Sequence, residues 1–137
     1  MSQSLGQLQV IWGALVGGVV LYTVLIFGLM TAGVLDAARL DPAIMPYAGG
    51  VVIVYMAAGL LVRRSMVAAI PSDADSETRL ARYQTATIIP LALMESGGLL
   101  LVTLGFLTGT ATWVLAGGMA AALLMFLGRP TAAEVGL

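Results

Sequence analysis

Cysteine, histidine and lysine are all missing from this chain, and charge of either sign is scarce. Without cysteine there are no disulfide staples, no thiolate chemistry and no signal of redox compartment; without histidine as well, the usual zinc sites are excluded. All six basic residues are arginines, and against seven acids they leave a net charge of −1. No basic patch offers itself to nucleic acid. Charged residues fill only 9% of the 137 positions and hydrophobic ones 60%, whereas soluble domains carry about 25% charged residues. So little polar surface cannot cover a globule in water, which makes lipid the solvent. The expectation is a single integral membrane domain over residues 1–137, all-α in class.

A bilayer core of about 30 Å takes about 20 apolar residues per helix. Four stretches answer: Val10 to Leu35, Ile44 to Val62, Thr85 to Leu107 and a shorter one, Ala111 to Gly128. Met1 to Gln9 lacks the positive start of a signal peptide, and the run after it is too long for one, so the first stretch reads as a retained span. Asp36 to Ala43 is a short polar turn with Asp41-Pro42, and Arg63 to Tyr83 a longer polar segment in which Asp75 and Glu77 sit near a helix start, favourable to the macrodipole. Thr108-Gly109-Thr110 is so tight that the last two spans form an antiparallel hairpin. Four spans then make two antiparallel hairpins.

Arg63, Arg64, Arg79, Arg82 and Arg129 fall on one side of such a bundle and Arg39 alone on the other. The positive-inside rule puts both termini in the cytoplasm, most naturally of a bacterial inner membrane. Tyr47, Tyr83 and Trp113 read as interfacial anchors. Tyr22 and Tyr55 lie deeper, where a phenol wants a hydrogen-bond partner.

Glu95 is the one acid inside a span. A carboxylate at that depth costs about 2.5–3.5 kcal/mol on insertion scales. Arg82, the nearest basic residue in sequence, is thirteen residues away, about 20 Å along a helix, too far for a salt bridge. Apolar surroundings then favour the neutral acid, which can donate to a backbone carbonyl, Ser96, Tyr22 or Tyr55. Glu95 shares a stripe with Gly98, Gly105 and Gly109, so a helix contact rather than bare lipid is expected at the acid. Pro90 removes a backbone donor just before it. Gly13 and Gly17 form a GxxxG step on the first helix, and Gly117 with Ala121 a similar one on the fourth; small residues at such spacing let helices approach. Packing alone accounts for them as well as any function does.

The halves are weakly alike. Gly17 to Thr23 resembles Gly97 to Thr103 at an offset of 80, and Ala48-Gly49-Gly50 resembles Ala116-Gly117-Gly118, with Leu15 in the place of Glu95. A duplicated hairpin that kept one acid of two fits this pattern.

The stretch Tyr83-Gln-Thr-Ala-Thr-Ile-Ile-Pro-Leu-Ala-Leu-Met-Glu95-Ser-Gly-Gly-Leu-Leu-Leu-Val-Thr-Leu resembles the outer helix of rotary ATP synthase c subunits, with the arginine-rich loop before it similar to their polar loop. A four-helix chain with one acid is similar to the duplicated V-type proteolipids. The resemblance is local, over residues 83–104, and the GxGxGxG run of that family's inner helix is absent. It implies an oligomeric membrane protein whose Glu95 binds or exchanges H+ or Na+, with Ser96, Tyr22 and Tyr55 as candidate companions. The alternative is an accessory subunit of a larger membrane complex, with protonated Glu95 bonding across helices; such contacts average only about 0.6 kcal/mol, a thin return for burying an acid. A transporter with its own substrate pocket would have four short helices and one acid to build it. Hydrolytic or redox catalysis lacks its parts, so no enzyme and no cofactor are expected. The other acids, Glu134 among them, read as solvated loop charges.

Overall fold

The computed structural model describes residues 5–34 and 40–135. Five helices follow one another: α1 (Leu5–Thr31), α2 (Met45–Ala68), α3 (Ser76–Leu107), α4 (Ala111–Leu127) and the single turn α5 (Ala132–Val135), with a 3-10 turn, Pro42–Ile44, leading into α2. Among the described residues there is no strand. α1, α3, and α2 with its leading turn are each long and apolar enough to cross a membrane, which marks an integral membrane protein. α4 is apolar but has 17 residues, about 26 Å of helix.

Local chemistry sets the helix ends. α1 stops at Thr31, short of the expected Leu35, because Gly33 takes a left-handed φ of 71°. The Gly33 N–H then bonds Met30 O at 3.1 Å and the Val34 N–H bonds Leu29 O at 3.1 Å, the paired closure that a left-handed glycine permits. The same device ends α3: Gly109 has φ 67°, and the N–H groups of Gly109 and Thr110 return to Phe106 O and Gly105 O at 3.0 and 2.8 Å. α3 starts earlier than its apolar run, since Asp75 caps it by accepting from Thr78 N–H at 3.2 Å and Glu77 lies in the first turn. Asp41 caps the 3-10 turn through Ala43 N–H at 2.9 Å. Asp36 and Arg39, assigned to the first connection, lie outside the described residues.

α3 is the axis of the bundle. Of the most apolar window of each long helix, 44% is buried for α3 but only 11% for α1. Gly98 faces Ala121, Gly117 faces Leu101 and Gly105 faces Val114, so α4 runs antiparallel to α3. α2 is antiparallel to α3 as well, with Gly59 against Pro90 and Met94, and Gly97 against Met56. α1 lies across the seam of α3 and α4, where Gly98 meets Val19 and Gly118 meets Thr23. It barely meets α2. α4 thus packs antiparallel on α3, whereas α1 and α2, neighbours in sequence, barely meet, and the α3–α4 arrangement is not repeated in them. The core joins Val19, Val52, Met56, Met94, Leu101, Ala121 and Met125, and a second cluster sets Leu8 against Tyr83 near the other bundle end.

Small residues do their packing where backbones nearly touch. An added Cβ at Gly105 would lie 2.8 Å from the Val114 backbone nitrogen, and one at Gly117 would lie 2.6 Å from Leu101 Cβ. Gly98 is equally closed, against Ala121 Cβ. Gly13 and Gly17, assigned to packing from their spacing, correct that expectation: nothing lies within 4 Å of an added Cβ at either. Their face of α1 looks outward, with Val20, Leu21 and Val24 also exposed. Lipid and protein are both apolar, so a GxxxG step looks the same on either face.

Candidate functional site

Glu95 lies in the middle of the apolar length of α3, ten residues past Thr85 and twelve before Leu107. Its side chain is half-buried at the seam with α1, where carboxylate oxygen Oε1 would come within 3.9 Å of a Cβ added at Gly18. Glycine at position 18 thus leaves the carboxyl group its place beside the α1 backbone. Among the described residues, no hydrogen bond and no ion pair reaches this carboxyl group.

The residues expected around it go elsewhere. Thr103 Oγ donates to Leu99 O at 2.8 Å, so the Tyr22 hydroxyl, 2.9 Å away, is the donor to Thr103. That pair lies two turns beyond Glu95 on the same α1–α3 seam. Ser96 Oγ donates back to Leu93 O at 2.9 Å and is exposed. Tyr55 is exposed too, and with Ser96, Gly97 and Leu100 it borders a cleft of about 320 Å³ between α2 and α3. Glu95 therefore stands apart from Ser96 and Tyr55, with Tyr22 on its own side but engaged with Thr103. Pro90 is buried within α3, which passes through it unbroken. Close by, the buried Thr87 hydroxyl has no hydrogen-bond partner among the described residues. Among the described residues no group of three or more carboxylate or other ligating side chains converges on a point that could hold a metal ion.

The firmest polar cluster lies at one end of the bundle, away from Glu95, and the sequence reading missed it. Glu134 of α5 reaches back between α2 and α3. Its two oxygens accept from Arg63 Nη1 at 3.1 Å and Nη2 at 2.7 Å. Tyr83 donates its hydroxyl to Glu134 Oε2 at 2.5 Å and accepts from Thr131 N–H at 3.0 Å and from Arg63 Nη2 at 3.4 Å. Tyr83 is fully buried and Arg63 is 3% exposed. The expectation of an interfacial Tyr83 is corrected, and Glu134, though still partly exposed, is not a free loop charge: it and the buried phenol satisfy a guanidinium that is shielded from water. Burial pushes the Glu134 carboxyl up, but the hydrogen bonds from Arg63 and Tyr83 and the guanidinium charge outweigh it and hold the group below the ordinary glutamate range. The tail is fastened further by Gln9 Nε2 donating to Pro130 O at 3.3 Å and Trp12 Nε1 to Met125 O at 2.7 Å, with the Arg129 guanidinium 5.5 Å over the Trp12 ring. An arginine closing one apolar run and a tyrosine near the opening of the next, on either side of the polar segment, is the sequence signal that could have pointed to it.

No family model, curated protein or solved structure matches this chain.

Proposed function

We propose that this chain is a non-catalytic membrane subunit that carries one exchangeable proton on Glu95 and works as a homo-oligomer or within a larger membrane complex. The observation that carries this reading is an unfastened carboxyl group: Glu95 sits at mid-span, half-buried beside Gly18, with no hydrogen bond and no cation on it among the described residues. A carboxyl acting as interhelical glue needs a partner, and the candidates Tyr22 and Ser96 are engaged with Thr103 and Leu93. An ionisable group inside a span is functional by default. Sodium would need several oxygen ligands, and the hydroxyls in range are turned away, so the proton is the favoured cargo. The likeness of residues 83–104 to the outer helix of rotary c subunits supplies the precedent: such a carboxyl exchanges a proton as the subunit moves within a ring or against a partner. In this reading α4 is the fourth span, both termini are cytoplasmic, and the arginine-rich end lies on the inner face of a bacterial inner membrane.

Carbodiimide labelling tests it, since the reagent reacts with the protonated carboxyl. The labelling rate at Glu95 falls as pH rises, Na+ gives no protection, and Glu95→Gln is not labelled and loses function in vivo. Labelling that ignores pH, together with a fully active Glu95→Gln, sinks the reading. Protection by Na+ would replace the proton with sodium.

A further inference from the structure

The arginines at the inner end of the bundle are not equally engaged. Arg63 is paired with Glu134 and Arg129 lies over Trp12. Arg82 is exposed and has no ion pair among the described residues. It borders the mouth of an open groove of about 450 Å³ between the end of α2 and the first turns of α3, floored by Met66, Ala69, Ile70 and Ala86 and edged by Thr85. No acid lines this groove. The Thr85 hydroxyl is held only by a long bond, 3.3 Å, to Ala81 O, which leaves its lone pairs free to accept and its proton easily redirected.

Depth identifies the occupant. With Glu95 at the bilayer centre, Arg82 lies about 20 Å along the helix from it. The hydrocarbon half-thickness is about 15 Å, so the guanidinium is level with the phosphates; with Gly59 seated against Pro90 and Met94, Ala69 and Ile70 lie at that same level, and Met66, Thr85 and Ala86 lie deeper, where the groove meets the acyl region. An apolar floor under an unpaired cation matches an acyl chain ending in a negative headgroup, and basic pockets between helices on the cytoplasmic side take such lipids. A zwitterionic headgroup would leave its ammonium without a counterpart in the groove lining.

We propose that this groove is a binding site for one anionic phospholipid, its phosphate on Arg82 and the Thr85 hydroxyl, its headgroup over Ala69 and Ile70, and one acyl chain running inward past Met66 and Ala86. The site rests on the membrane orientation given above and not on proton exchange at Glu95.

The test uses the full chain in mixed micelles holding equal amounts of phosphatidylglycerol and phosphatidylcholine, with retained lipids counted by native mass spectrometry. One phosphatidylglycerol is retained in preference. Arg82→Gln lowers its retention about fivefold, the worth of one interfacial arginine, while Arg64→Gln, an exposed arginine outside the groove, leaves it unchanged. Ala69→Phe, which fills the groove, lowers retention of both lipids. Excess inorganic phosphate does not displace the lipid. Equal retention of the two lipids, an Arg82→Gln protein that behaves as the parent, or displacement by inorganic phosphate overturns the proposal. Glu95→Gln retains the lipid as the parent does, so a failure of the proton reading leaves this result standing; loss of lipid in that variant would overturn the site as a separate one.

Discussion

Removing the Glu134 carboxylate, as in Glu134→Ala, leaves the Arg63 guanidinium in a place where water hardly reaches. The Arg63 side chain is 4% exposed, both of its Nη atoms are held by that one carboxylate, and its Nε has no partner among the described residues. What remains is a 3.4 Å hydrogen bond to the Tyr83 hydroxyl and the Tyr83 ring 6.0 Å from the guanidinium. Stripping one partner from a buried pair costs about 3–5 kcal/mol. Because Glu134 itself is 34% exposed, water can enter the vacated place, and the expected loss is about 2–3 kcal/mol. Arg63→Met behaves differently: the apolar replacement suits its surroundings, Glu134 swings out to solvent, and the cost stays under about 1 kcal/mol. The double variant should then be no worse than Arg63→Met alone, a coupling of about 2 kcal/mol between the two sites. Unfolding by titration with sodium dodecyl sulfate in mild-detergent micelles, followed by far-ultraviolet circular dichroism, measures all four proteins. A Glu134→Ala protein within about 0.5 kcal/mol of the parent, or single losses that simply add in the double variant, would refute the reasoning.

The same carboxylate carries a pH dependence with a fixed sign. Its folded-state value is depressed, so it stabilises the folded chain above the ordinary glutamate value of 4.5, and this contribution is lost as pH falls through the depressed folded value; hydrogen exchange at residues 131–135 should rise there, and Glu134→Gln should flatten the profile. Gly105→Leu pushes a side chain into the Val114 backbone and should cost about 3 kcal/mol or more, while Gly17→Leu, facing open space, should leave the same detergent unfolding curve within about 0.5 kcal/mol of the parent. Tyr22→Phe removes its bond to Thr103, whose hydroxyl keeps Leu99 O as acceptor, so the loss should be only about 0.6 kcal/mol, read from that curve.

The helices were readable because their signals are local. Apolar runs marked the four longer helices though not the single turn α5, Asp75 marked where α3 starts, and Gly109 marked the turn into α4. Which face of each helix lies inside was not readable, because α1 is apolar all round and lipid and protein interior ask for the same residues. Hence Gly13 and Gly17 look like Gly98 and Gly117 in sequence and differ only in three dimensions. Glu95 stood out by contrast with its surroundings, yet its companions depended on side-chain direction: one residue along α3, Ser96 already belongs to another face. The Arg63–Glu134 pair joins positions 71 apart in sequence, and a lone glutamate in a short tail carries no period that would announce it.

Because α1 rests on α3 and α4 and barely touches α2, it leaves the ribosome well before the helices it packs on. Roughly eighty residues separate Val19 from its contact at Gly98, about 4–16 s of synthesis at about 5–20 residues per second. Throughout that interval α1 lacks the helices it packs on, its Val19 and Thr23 edge still bare. Nascent copies on one messenger are most open to mispairing then, and release of the α3–α4 hairpin is the event that ends the wait.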